Sequence, residues 1–189
     1  QLVYSGYFQS IANFTENKDK ILTFQSCSKT YAMTGWRIGY TAGNLDVIKA
    51  MGKLQGQSTS CPNSIAQYAA VEALIGKQDA ISEMVDIFRT RRNLILDGLT
   101  SIDHIYCDKP EGAFYVFPNI TNLLNKKYKG SILVTPNDLS MALLAEHSIV
   151  TVSGESFGSN NNIRLSYATS DQILQDALDK LEKFVKELE

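Results

Sequence analysis

A lysine, an arginine and two serines lie close together near the start of the chain. Ser26 and Ser28 precede Lys29, and Arg37 opens the next apolar stretch. A lysine amine can form an imine with an aldehyde when it is held uncharged. An arginine fork and serine hydroxyls can bind a phosphate group. These residue types therefore favour a lysine beside a phosphate-bearing aldehyde cofactor, and spacing alone leaves an ordinary surface lysine as the alternative.

Two short strands should hold this segment. The apolar, β-prone residues 21–24 and 38–41 predict strands of a buried sheet, joined by a hydroxyl-rich loop that carries Lys29. A lysine near the end of a buried strand requires that its amine be neutralised or paired. Glycines at Gly35 and Gly39 would let the backbone approach a ligand closely.

Helical spacing of apolar residues predicts helices in both halves of the chain. The predicted helices cover 44–54 with Asn44 as N-cap, 64–74 ending near Gly76, 79–99, 137–146 starting at Asn137 or Asp138, and 171–188 capped by Asp171. Gly98 lies in the last turn of the longest helix, which we therefore expect to end early. Further strands are predicted at 113–117, 149–152 and 163–167, so the second half should be an α+β unit.

Composition narrows the possible functions. The chain has 189 residues, 44% hydrophobic and 20% charged, with a net charge of −2, which argues against broad binding to nucleic acid or membrane. No apolar stretch approaches membrane-spanning length, and nothing directs the chain out of the cytosol. The widely spaced Cys27, Cys61 and Cys107 suggest neither a disulfide framework nor a zinc ribbon. With only His104 and His147 present, the sequence predicts no metal site and disfavours a Ser/His/Asp triad.

The whole of segment 26–40 resembles the pyridoxal-phosphate attachment site of class I/II aminotransferases of fold type I. The family motif reads S-x-S-K-x-[FY]-x-M-x-G-W-R-[IL]-G-[YF]. By this match Lys29 would hold the cofactor covalently, then move a proton between the substrate α-carbon and the C4′ carbon of the cofactor. Arg37 and Ser26 would hold the cofactor phosphate, and Ser28 would shape the loop.

A second match lies far downstream. Residues 162–168 are similar to the I-R-[LI]-S-[YF]-A strand of the family, in which the arginine binds the substrate α-carboxylate. Arg164 would have this role, because a rigid two-pronged guanidinium fixes a carboxylate in plane. The alternative is an exposed strand arginine in a salt bridge. Residues 111–115 resemble the segment that starts the small domain's sheet, and we interpret them as mainly structural.

The resemblance covers essentially the whole chain and implies an α/β fold. Residues 1–78 would be the C-terminal part of the large cofactor-binding domain, 79–100 a long connecting helix, and 101–189 the small α+β C-terminal domain. The segments 57–67 and 154–170 look most like the bacterial branch of aspartate aminotransferases, some of whose members accept prephenate or aromatic acids. The implied reaction is reversible transfer of an amino group from an amino acid, with aspartate favoured, to 2-oxoglutarate.

The resemblance also implies partners and missing parts. The full-length parent would be a cytoplasmic homodimer that binds amino acids and 2-oxo acids. The family's D-E-x-Y motif, whose aspartate pairs with the cofactor's pyridine nitrogen, would precede residues 2–6. We therefore expect a C-terminal fragment that is inactive alone, with edge strands and apolar surface near residues 21 to 41 exposed or covered by another chain.

Two sets of alternatives remain open at this stage. An aromatic or prephenate, kynurenine or alanine aminotransferase, or a β-lyase, would keep the same lysine and arginines. A non-catalytic folded or dimerisation module is the alternative of a different class. Such a module has no need of Lys29, Arg37 and Arg164 together, and it would bind neither pyridoxal phosphate nor dicarboxylates.

Overall fold

A computed structural model describes residues 2–189, which divide into two compact units. The first unit comprises Gly6–Met84, and the second comprises Leu2–Ser5 together with Val85–Glu189. Each unit has its own cluster of buried side chains. The mixture of helices and strands is that of the predicted α/β fold, and the domain limits at 78 and 100 stay predictions.

The first unit is built around a β-hairpin. Strand β1 (Thr23–Ser26) pairs antiparallel with β2 (Gly39–Ala42). The strands lie close to where they were predicted, but the expectation that they are buried is wrong, since Phe24 keeps 65% of its surface exposed. Within residues 2–189 this sheet has two strands only, so no further strand covers its edges. The expected exposure of apolar surface near residues 21 to 41 is confirmed.

Three α-helices lie wholly within the first unit, which also includes the N-terminal part of the next helix. They are α1 (Cys27–Thr30), α2 (Leu45–Ser58) and α3 (Ser64–Ile75). The N-cap of α2 is Asn44, as predicted, because its side chain accepts hydrogen bonds from two amides of the first turn. Small residues of α3, including Ala66 and Ala70, pack against Cys27, Met33 and Ile38. This contact fixes the segment that carries the candidate lysine.

The second unit is an α+β layer structure, as predicted. Its elements are the C-terminal part of α4 (Asp79–Ser101), β3 (Tyr115–Val116), β4 (Lys127–Tyr128), β5 (Ser131–Ile132), α5 (Pro136–His147), β6 (Val152–Ser153), β7 (Ile163–Ser166) and α6 (Asp171–Lys186). An antiparallel sheet of order β3-β7-β6 has β7 at its centre. Helix α6 contributes Leu174, Leu178, Leu181, Phe184 and Val185 to the core.

One helix start and one helix cap differ from the predictions by one or two residues. Helix α5 begins at Pro136 with Thr135 as its N-cap, rather than at Asn137 or Asp138. Helix α6 is capped by Ser170, whose hydroxyl accepts from the Ile173 amide, and not by Asp171. In the described part of the chain, no helix combines the length and the apolar character needed to cross a lipid bilayer.

Gly98 lies inside α4, so the predicted early end of this helix is wrong. A Cβ atom at this position would meet Cδ1 of Leu178 at 2.4 Å, and Leu178 is buried. Gly98→Ala should therefore loosen α6, since overpacking costs about 1–3 kcal/mol and exceeds the roughly 1 kcal/mol gained in helix propensity. Hydrogen exchange of the α6 amides should become faster. Gly52→Ala in α2 is the control, because its added carbon would meet no heavy atom within 4 Å outside the backbone of its own helix, so exchange in α6 should not change.

The negative charge of Asp138 stabilises the N-terminus of α5. Its carboxylate accepts hydrogen bonds from the amides of Thr135 (2.8 Å) and Val134 (3.0 Å). The Thr135 amide is the largest cause that holds the pKa of Asp138 below its ordinary 3.8. Because the pKa of Asp138 is lower in the folded than in the unfolded chain, its carboxylate stabilises the fold at pH values above the unfolded-state pKa. This contribution is lost as the pH falls through the folded-state pKa. Asp138→Asn should lower the urea midpoint at neutral pH and match the wild type below the lowered pKa. A difference independent of pH would contradict this account.

Candidate active site

Lys29 lies on α1, the short helix that follows β1 without a break. Ser26 caps this helix, because its Oγ atom accepts a hydrogen bond of 3.1 Å from the Ser28 amide. The Lys29 side chain is exposed, which corrects the expectation of a lysine at the end of a buried strand. The hairpin thus presents the lysine at the surface of the first unit.

Arg37 ends the tight turn that follows Lys29. Its backbone is left-handed, with φ of 53°, just after a 3-10 turn over Thr34–Trp36. One guanidinium nitrogen donates to the Thr34 carbonyl at 3.0 Å, and the side chain is exposed. No carboxylate within residues 2–189 forms an ion pair with Arg37. A non-glycine residue in this region of backbone space is strained, and such strain clusters at ligand sites.

Backbone pairing brings the serine, lysine and arginine segments together. Ser26 pairs with Gly39 in the strand register, and the Cys27 amide donates to the Ile38 carbonyl at 3.3 Å. A Cβ atom on Gly39 would lie 2.6 Å from the Gln25 carbonyl oxygen. Gly39 therefore permits the approach of the two strands rather than of a ligand, which corrects one expectation. Gly35 has nothing within 4 Å of its added carbon, which leaves room for a ligand.

Arg164 lies on β7, the central strand of the sheet in the second unit. Its neighbours Ile163 and Leu165 point into the core, so Arg164 and Ser166 lie on the outer face. The Cζ atom of Arg164 lies 4.4 Å from the ring centroid of Tyr115 and 4.5 Å from that of Phe157. The salt bridge that was the alternative for Arg164 is not found in the described part of the chain. Its N–H donors remain available for a carboxylate ligand.

Comparison with known families decides where the chain belongs. The family described as aminotransferase class I and II matches residues 1–181. The chain belongs to this family. Membership confirms the resemblance of the chain to class I/II aminotransferases.

Individual aminotransferases are similar along most of the chain. An aspartate/prephenate aminotransferase of Cereibacter sphaeroides is 44% identical over 88% of this chain and 42% of its own length. An asparagine–oxo-acid transaminase of Streptococcus mutans is 40% identical over 98% of this chain and 47% of its own length. The crystal structure of the aspartate aminotransferase from Rhizobium meliloti superposes with a TM-score of 0.94 at 41% identity, over 100% of this chain and 48% of that one. The chain thus spans about half the length of the relatives it matches.

The donors of the hairpin fit the phosphate of an aminotransferase cofactor. Ser26 uses an oxygen lone pair for its cap, so its hydroxyl hydrogen remains free to donate. Arg37 donates one N–H group to the Thr34 carbonyl, and its other N–H groups remain available as donors. Arg37 also lines a cleft in the first unit, with Ala32, Gly35, Trp36, Asn63, Ile65 and Ala66.

A tyrosine pair anchors β7 beside Arg164. Tyr167 is fully buried, and its hydroxyl lies 3.0 Å from the Ala113 carbonyl oxygen and 3.1 Å from the Tyr4 hydroxyl. Burial, the largest cause, and the Tyr4 hydrogen bond raise the pKa of Tyr167 well above its ordinary value, so the phenol stays neutral. The guanidinium of Arg92 covers the Tyr4 ring at 4.5 Å. This network fixes the end of the strand that carries Arg164.

Sequence reasoning missed two residues of the candidate site. The sequence indicates a mainly structural role for Tyr115 and singles out no role for Phe157, yet both contact Arg164. The contact of Tyr115 follows from its register opposite Ser166, which places it on the same sheet face as Arg164. A strand pairing of this kind cannot be read from spacing, whereas the aromatic content of 114–117 was a signal that could have been used.

Proposed function

We propose that the complete protein that carries this chain transfers an amino group from an amino acid, with aspartate as the favoured donor, to 2-oxoglutarate with pyridoxal phosphate as cofactor. One observation carries the proposal. Within a member of the aminotransferase family, a single hairpin turn holds Ser26, Lys29 and Arg37 with their polar groups facing solvent. This is the set of groups that a phosphorylated aldehyde requires.

The residues of the first unit would hold the cofactor and move the proton. Arg37 would donate N–H groups to the phosphate, and the Ser26 hydroxyl would donate to the same anion. Nζ of Lys29 would hold the cofactor and would accept the proton from the substrate α-carbon. When bound, the cofactor would supply an electron sink that stabilises negative charge on that carbon. The short helix α1 keeps the amine at a fixed position relative to Ser26.

Arg164 would orient the substrate. Two parallel N–H donors of its guanidinium bind the two oxygens of an α-carboxylate and define the plane of that group. A fixed carboxylate restricts rotation of the substrate and so directs its α C–H bond. The same contact serves the amino acid and the oxo acid, because both carry this carboxylate.

A panel of amino donors tests the proposed function. The complete protein, loaded with pyridoxal phosphate, is incubated with 2-oxoglutarate and one of aspartate, asparagine, alanine, kynurenine or an aromatic amino acid, and the glutamate formed is measured. We expect the largest kcat/KM for aspartate. A larger value for another donor would reassign the substrate within the family. No glutamate from any donor would reject amino transfer and favour a β-lyase or a non-catalytic module.

Prephenate is the second candidate acceptor. The observation that favours it is the similarity to the Cereibacter sphaeroides relative, which is named an aspartate/prephenate aminotransferase. The test replaces 2-oxoglutarate by prephenate and follows consumption of aspartate. Equal rates with both acceptors would support dual use, and no consumption with prephenate would restrict the proposal to 2-oxoglutarate.

We further propose that the complete protein is a cytoplasmic homodimer. Helix α3 consists mostly of apolar residues, and Ile65, Tyr68 and Ile75 on its outer side are 68%, 80% and 78% exposed. A helix of this kind is normally covered on every side. Sedimentation of the complete protein should give twice the mass of one chain. A monomer at micromolar concentration would reject the proposal.

A further inference from the structure

The contacts around Arg164 form a bracket made of two aromatic rings. Tyr115 reaches the guanidinium from β3, on one side of β7. Phe157 reaches it from the turn Gly154–Phe157, which follows β6 on the other side of β7. Both separations, 4.4 Å and 4.5 Å, lie well within the range of a cation–π interaction. The guanidinium is thus contacted from both neighbouring strand segments.

Each ring of the bracket is itself held by another ring. Phe114 packs on Tyr115 with a centroid separation of 4.5 Å. Phe117 meets Phe157 at 6.0 Å with an interplanar angle of 88°, which is an edge-to-face pair. Such pairs favour defined ring orientations. Each ring of the bracket therefore has a second aromatic ring packed against it.

We propose that Tyr115 and Phe157 are positioning residues that hold the Arg164 guanidinium ready for the substrate α-carboxylate, an inference that rests on the proposed function. An arginine side chain has many rotamers, and ordering it on binding weakens affinity. Stacking on rings orders the guanidinium beforehand and leaves its in-plane N–H donors free for the ligand. No carboxylate in the described residues pairs with Arg164, so the rings replace the ion pair that usually holds an arginine.

Steady-state kinetics of the complete holoenzyme test this role. Tyr115→Leu and Phe157→Leu should each raise the KM of aspartate and of 2-oxoglutarate about tenfold, which corresponds to about 1.4 kcal/mol. The kcat should change less than about threefold, since the contact is made in the ground state and in the transition state alike. Tyr115→Phe and Phe157→Tyr keep the rings and should keep both KM values within about twofold of the wild type. Tyr106→Leu, which removes an exposed ring from the same unit, is the control and should change neither constant.

A double-mutant cycle separates positioning from general destabilisation. In an Arg164→Lys background the ring-removing changes should have little further effect on KM, because the planar fork that the rings order is already gone. Additive effects on KM would overturn the inference, as would equal KM values for Tyr115→Leu and Tyr115→Phe. An inactive wild-type protein would instead reject the proposed function. If Phe157→Leu fails to fold, the Tyr115 pair of variants and their cycle with Arg164 still decide the question.

Discussion

Replacing Lys29 with alanine should lower the rate of amino transfer by the complete protein about 10⁴-fold or more. A positioned acid–base group contributes about 10²–10⁴-fold, and loss of the covalent attachment adds to this. Lys29→Arg should be equally inactive, because a guanidinium keeps its positive charge but stays protonated. The rate of glutamate formation measures the loss. Comparison of the two variants shows whether the amine acts as a nucleophile and base or only as a charge.

Chemical trapping identifies the amine directly. Borohydride reduction in the presence of stoichiometric pyridoxal phosphate, followed by peptide mass mapping, should label Lys29 in the wild type and no single lysine in Lys29→Ala. Lys53→Ala is the matched control, because Lys53 is an exposed lysine of α2 in the same unit. Its label and turnover should equal those of the wild type. Normal turnover of Lys29→Ala, or label scattered over several lysines of the wild type, would contradict the assignment.

The sequence predicted the helices well because helix capping and apolar spacing depend on residues that are close together in the sequence. Asn44 caps α2 through bonds to amides two and three residues away, a distance that the sequence displays directly. The start of α5 and the cap of α6 were misplaced because more than one suitable acceptor lies within the first turn of each helix. Ser170 precedes Asp171 and Thr135 precedes Asp138, and residue preference alone cannot decide which oxygen reaches the amides.

Long-range packing explains the remaining differences. Gly98 lies inside α4 and does not end it, because Leu178, far along the chain, occupies the space where a larger side chain would lie. The exposure of Lys29 depends on how many strands cover the hairpin, which spacing does not determine. The aromatic bracket of Arg164 requires the pairing of β3 with β7, so its members could not be assigned from the motif that identified the arginine.

Replacing Arg164 with alanine should produce the second large effect, a rise of about 100-fold in the KM of both aspartate and 2-oxoglutarate. Hydrogen bonds to charged groups contribute about 1.5–3 kcal/mol, which is equivalent to a factor of roughly 10 to 150. The change should be similar for the two substrates, because both present an α-carboxylate to the same guanidinium. The kcat should fall less than the KM rises, since the proton transfer at Lys29 does not involve this side chain.

The variant Arg164→Lys distinguishes a two-point contact of the guanidinium with a carboxylate from a simple positive charge. An ammonium group retains the charge but makes a single-point contact, so this variant should lie between the wild type and Arg164→Ala in KM. Arg89→Ala is the control, because Arg89 is an arginine of α4 in the same unit, paired with Asp86 at the surface. It should leave both constants unchanged. An unchanged KM for both substrates in Arg164→Ala would remove the carboxylate role, and with it the reason for the aromatic bracket, while the role of Lys29 would stand on its own test.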